Sequence, residues 1–177
     1  MNGPFDNLCL IIDLDGYHLT KKFYVRELGY RSWCGDSGSH FFRLPFLYEK
    51  LNAKEKRTVH QVNNSLIGLT FYPGPRENPV HSQRVVKQLL KDLYKEFRTD
   101  VRGVVGYKGG TIERNLLKEC GIPHQDIEHW GCPKFDQLPP PDIKGCGCHA
   151  DIQNVHCPQI ECEAFWEWTR LKLKNVN

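Results

Sequence analysis

Between Asn7 and Asp15 the chain reads NLCLIIDLD. The five residues Leu8 to Ile12 are all apolar and leave no side for water, which predicts a strand covered on both faces. Such a strand belongs in a sheet with layers above and below it. Asp13 and Asp15 stand at its C-terminal end, and on an extended chain residues i and i+2 point the same way. Side-by-side carboxylates repel unless a cation sits between them, and hard oxygen donors suit magnesium or manganese. Two such ions can clamp the attacking and leaving oxygens of a phosphodiester. The plain alternative is a turn rich in aspartate before Gly16.

The rest of the chain supplies the layers. Lys22–Trp33 (KFYVRELGYRSW) alternates in period two, with Val25, Glu27 and Gly29 expected on one face. Ser39–Phe46 follows a Gly-Asp-Ser-Gly turn, so these two runs predict a hairpin. Leu47–Asn64 reads as a helix or an excursion. His81–Phe97 is helical: Val85, Val86, Leu89, Leu90, Leu93, Tyr94 and Phe97 follow the amphipathic rule. Its other face carries Arg84, Lys87, Lys91 and Lys95, a solvated face or, with Arg98, Arg102 and Lys108, a track for phosphates. Val101–Gly110 predicts a second short apolar strand, and Thr111 caps a helix stopped by Gly121 and Pro123. A brief strand within Gln125–Phe135 and a stiff Pro139–Asp142 connector lead to a last helix over Glu161–Lys174, its packed side built from Phe165, Trp166, Leu171 and Leu173. This order predicts a single domain over residues 1–177, an α/β sandwich with a mixed sheet flanked by helices.

Two further features join the aspartates. Glu113 falls on the first turn of the helix that leaves the second apolar strand. His156 and Glu161 lie close together near the end, one suited to act as general base toward water, the other to add a carboxylate to the metal. That last region, GCGCHADIQNVHCPQIEC (145–162), also holds four of the eight cysteines. Cys146 and His149 have Cys-x2-His spacing and Cys157 follows, a set that suits tetrahedral zinc and needs a fourth ligand. Cys148 and His156 compete for that place. Cys9, Cys120, Cys132 and Cys162 read as packing or turn residues.

The acidic positions resemble the DnaQ-like 3'–5' exonucleases of the ribonuclease H-like superfamily. The resemblance implies that Asp13, Asp15, Glu113 and Glu161 hold magnesium or manganese and that His156 activates water. Asp15 stands where that family has Glu, Glu113 and Glu161 stand where it has Asp, and Lys108 and Gly109 replace a His-Asn pair. The cysteine-rich region resembles the Maelstrom domain, a DnaQ-like fold with a Glu-Cys-His-Cys zinc set. That resemblance implies zinc on Glu27, Cys146, His149 and Cys157, so that a zinc-stabilised C-terminal loop is tied to the second strand. It also implies RNA or single-stranded nucleic acid as the partner, and proteins of small-RNA silencing as companions. The alternative expectation is a non-catalytic, zinc-stabilised module that binds nucleic acid or protein.

Composition limits these readings. The formal charge of +3 permits nucleic-acid contact without requiring it. No apolar run approaches the roughly 20 residues of a membrane helix. The N-terminal residues lack the basic start of a signal peptide, so an intracellular protein, cytoplasmic or nuclear, is expected, with cysteines as thiols or metal ligands.

Overall fold

A computed structural model describes residues 3, 5–151 and 155–174, with the side chains of 173 and 174 outside it. Among the described residues, six strands form one mixed sheet: β1 (Leu8–Leu19), β2 (Lys22–Ser32), β3 (Ser37–Phe42), β4 (Val80–His81), β5 (Val104–Tyr107) and β6 (His124–Asp126). Their order is β4-β3-β2-β1-β5-β6. The first three strands are an antiparallel meander, whereas β4, β5 and β6 are added in parallel to β3, β1 and β5. Four helices flank it: α1 (Ala53–Val62), α2 (Val86–Phe97), α3 (Thr111–Glu119) and α4 (Pro158–Lys174).

The apolar run behaves as its composition demands, and Leu8 to Ile12 are fully buried. Leu10, Ile12 and Leu14 pack with Leu90, Leu93 and Phe97 of α2 and Leu117 of α3. Leu8 and Ile11 face the opposite way and meet Cys162, Phe165 and Trp166 of α4. Farther along β1, Tyr17 and Leu19 join a third cluster with Val59 of α1, Ile67 and Leu69. The face that carries Ile11, Asp13, Asp15 and Tyr17 therefore runs from one apolar cluster to another, with two acids in the gap.

Several expectations are corrected. Val25 does not share a face with Glu27. Asp15 pairs with Glu27 and Gly16 with Val25, so Arg26 is an extra residue in β2. This bulge turns Val25 into the helix-covered core and leaves Arg26 and Glu27 fully buried. Arg26 is satisfied by an ion pair with Glu77 and by two hydrogen bonds to the Thr70 carbonyl. β1 does not stop at Asp15 but continues to Leu19. The Leu47–Asn64 stretch contains α1, started by a capping box in which Asn52 and Glu55 bond each other's backbone. α2 begins only at Val86, because Val80–His81 is taken by β4, and Val85 is exposed. The brief strand is β6, which ends at Asp126 before a single helical turn. α4 starts at Pro158, and Leu171 is 51% exposed rather than packed; Leu173 lies outside the described side chains. None of the described helices is long and apolar enough to cross a membrane.

Candidate functional site

Three segments meet on the acid-bearing face: the end of β1, the bulged part of β2 and the residues that lead into α4. Two features bring the C-terminal segment there. Gly29 has no side chain, and a Cβ at that position would lie 2.4 Å from the Pro158 carbonyl carbon and 2.5 Å from the Gln159 nitrogen. The first turn of α4 thus rests directly on β2 backbone, and the Cys162 thiol donates to the Gly29 carbonyl at 3.5 Å. Gly68, at a left-handed φ of +60°, lets the cysteine-rich loop approach, and its carbonyl accepts from the Ala150 N–H at 2.7 Å.

Glu27, Cys146, His149 and Cys157 each offer a donor atom, and these atoms all lie within 4.8 Å of one another. The two sulfurs are 3.6 Å apart, and His149 Nε2 is 2.8 Å from Glu27 Oε2. His149 Nδ1 is bonded to the Ile67 carbonyl, which fixes the tautomer and leaves Nε2 for the cluster. Apart from their contact with each other, neither the fully buried Glu27 carboxylate nor His149 Nε2 has a hydrogen-bond partner among the described residues. A buried carboxylate costs several kcal/mol unless a cationic group meets it, a role open here to the His149 imidazolium or to a metal ion held by all four donors. Two thiols, an imidazole and a carboxylate converging on one point are a zinc-type donor set. Cys148 and His156 lie outside that set; Cys148 packs against the third cluster instead.

The electrostatics agree with convergence. The hydrogen bond from Cys146, which keeps the shared proton, pulls the Cys157 thiol down to about 4 against the effect of burial. Cys146 is driven up, first by that same bond and then by burial. Burial opposes a charged His149, but the close Cys157 and Glu27 groups outweigh it and push the imidazole up to about 11. A thiolate is the form that binds zinc.

Asp13, Asp15 and Glu161 form a second group, again with donor atoms within 4.8 Å of one another. Asp13 stands opposite Gly29 and Asp15 opposite Glu27, while Glu161 descends from the first turn of α4. Burial, then the neighbouring carboxylates, raises Asp13 and Asp15 well above the ordinary range. Burial likewise raises Glu161, to about 7. Asp13 Oδ2 is buried without a hydrogen-bond partner, as expected of an oxygen aimed at a cation.

His156 stands at the edge of this group. Its Nδ1 is 3.3 Å from Glu161 Oε1 and its Nε2 3.5 Å from Asp136 Oδ1, with the ring edge-on to Phe135. Glu113 stands beside the group rather than in it. It is buried, and Oε1 accepts from the Leu14 N–H at 3.2 Å, so it links α3 to β1. Sequence reasoning missed Asp136, Gly29 and the Ile67 carbonyl. A lone glycine within an alternating strand is a signal of close backbone approach and could have exposed Gly29.

The arrangement offers two adjoining cation sites of different softness, with a histidine beside the harder one. Compared with known proteins, the chain matches no family model, and a search of curated proteins finds no match.

Proposed function

We propose that this domain is a divalent-metal-dependent nuclease of the ribonuclease H-like, DnaQ/Maelstrom type, acting on RNA or single-stranded nucleic acid. The observation that carries the reading is the Asp13–Asp15–Glu161 group, with His156 against Glu161, beside the strand that supplies Glu27 to the Glu27–Cys146–His149–Cys157 quartet. The mixed sheet with helices on both faces is the frame that this resemblance implies.

In this reading Glu27, Cys146, His149 and Cys157 would hold zinc, which would fasten the C-terminal segment to β2. Asp13, Asp15 and Glu161 would hold magnesium or manganese, which supplies charge to the phosphate oxygens and acidity to a water. His156 lies between two carboxylates, Glu161 and Asp136, which orient the ring, and it would take a proton from the attacking water. The water oxygen bonds to phosphorus, the P–O bond to the leaving sugar breaks, and the leaving oxygen takes a proton from solvent. Glu113 keeps β1 in place through Leu14. Proteins of small-RNA silencing are the partners that the Maelstrom resemblance adds.

Incubation of the protein with end-labelled single-stranded RNA and manganese tests the reading. Laddered products that disappear in Asp13→Ala are expected. Retention of RNA without cleavage would instead favour a zinc-stabilised binding module, a second reading supported by Glu113 being tied to the Leu14 N–H rather than joining the acids.

A further inference from the structure

Leu14 points away from Asp13 and Asp15, into the opposite face of the sheet, and there it lines a second feature. A cleft of about 630 Å³ opens between the β1–β2 turn, the start of α2 and α3. Small-molecule sites commonly span roughly 300–1,000 Å³. Its floor is apolar, formed by Leu14, Phe23, Val25, Ile112 and Leu116. Its rim carries Lys21, Lys22, Arg84 and Lys87.

Lys87 is paired with Glu119 at 2.7 Å. The other three cations make no ion pair among the described residues, but Lys22 Nζ lies over the Tyr24 ring at 5.4 Å, which leaves Lys21 and Arg84 for a ligand. They are not on free tails. Lys21 and Lys22 sit at the tight turn that joins two long strands, with Lys22 in register with Leu19. Arg84 lies in the single helical turn that precedes α2. Cations gathered on a rigid rim above a low-dielectric floor concentrate positive potential.

The lining also has a ring surface. The His18 and Phe23 rings lie 4.9 Å apart at 63°, and Phe23 is seated over the bare backbone of Gly16, where a Cβ would come within 2.9 Å of its ring. Gln83 in the lining has its amide engaged by the Val25 and Arg43 backbone, which leaves Asn115 as the other lining amide. Bare polyanions need no ring surface, and acyl chains need walls without cations. A planar base with an attached phosphate uses the rings, the amide and the cations together.

We propose that this cleft binds a nucleoside 5'-phosphate, free or as the terminal unit of a strand, with the base on Phe23 and His18 and the phosphate against Lys21 and Arg84. The site lies across the sheet from the acids and does not depend on their chemistry.

Calorimetric titration of the zinc-loaded protein without added magnesium or manganese tests it, using AMP, adenosine, inorganic phosphate and a trinucleotide with either a 5'-phosphate or a 5'-hydroxyl. AMP is expected to saturate the protein and to bind about tenfold or more tighter than adenosine or phosphate alone. Lys21→Glu with Arg84→Glu should weaken AMP about tenfold or more at an unchanged melting temperature, and Phe23→Leu should weaken it about threefold to tenfold. Preference for the 5'-phosphorylated trinucleotide over AMP identifies a strand end as the source, and equal or tighter AMP binding identifies the free nucleotide. Absence of saturable AMP binding, AMP no tighter than phosphate, or wild-type affinity in the Lys21→Glu/Arg84→Glu protein overturns the proposal. Asp13→Ala should bind AMP as the wild type does, so loss of cleavage and loss of this site are read separately.

Discussion

The zinc-type quartet and the acid trio both combine residues of one strand pair with residues near the start of α4, and Asp15 and Glu27 are direct neighbours across that pair. They nevertheless answer burial in opposite ways. In the quartet, unlike groups offset one another: a thiolate at Cys157, a second thiol and a protonated imidazole lie around a carboxylate. In the trio, every member is an acid, and all three hold their protons more tightly than usual. The first group offsets much of its own charge; the second gains chiefly from an ion or from protons, with His156 beside Glu161 and His149 near Asp15 as the neighbouring imidazoles. Position agrees with chemistry. The quartet joins elements distant in sequence, as a fastening does, whereas the trio has His156 and an accessible edge beside it.

The sharpest way to break this contrast is to remove one ligand from each group. Cys157→Ser should lose zinc and on the order of 4 kcal/mol, lowering the melting temperature by roughly 10 °C in a domain of this size, measured by scanning calorimetry. Asp13→Asn should do the reverse to the metal-free fold, raising its melting temperature by a few degrees, because one like charge is gone. The same variant should lose the stabilisation conferred by manganese and about a thousandfold or more of any cleavage rate. If both substitutions destabilise alike, the two groups do not differ in kind.

A pH series sharpens the contrast. Glu161 binds its proton up to about 7 in the folded protein, against an ordinary value of 4.5. The folded state therefore carries more protons than the unfolded state between those values. This contribution to stability is complete below the ordinary value and is lost as pH rises through about 7. Without added magnesium or manganese, the stability of the wild type relative to Glu161→Gln should fall by up to about 3 kcal/mol from pH 4.5 to pH 7.5, followed by urea titration. Manganese should abolish that fall. A smaller effect comes from Gly29→Ala, whose methyl meets Pro158 and Gln159. It should cost about 2 kcal/mol and weaken zinc and manganese binding together, since Cys157, just before α4, and Glu161, in its first turn, are both placed by this one contact.

Much of this was legible in the chain. The five-residue apolar run announced a strand buried on both faces, and Leu8–Ile12 are fully buried. Cys-x2-His followed by Cys announced a metal-type cluster, and Cys146, His149 and Cys157 do converge, with Glu27. What stayed hidden depends on backbone geometry rather than residue type. The extra residue at Arg26 cannot be counted from alternation, because Val25, Glu27 and Gly29 alternate whether or not the strand bulges. Asp136 lies twenty residues before His156 in the chain, and only the fold makes them neighbours. α1 was blurred because its buried side holds little beyond Val59, leaving its capping box as the main sign.

The end of the chain folds back so that the Cys146 and Cys157 sulfurs and the His149 imidazole meet the Glu27 carboxylate, and one zinc ion is expected among them. X-ray absorption at the zinc edge of the native protein tests it most directly. One zinc per chain is expected, with two sulfur neighbours at about 2.3 Å and two nitrogen or oxygen neighbours at about 2.0–2.1 Å, and Glu27→Gln should alter only the lighter shell. Zinc-free native protein, or a shell of four sulfurs or of none, would contradict the account.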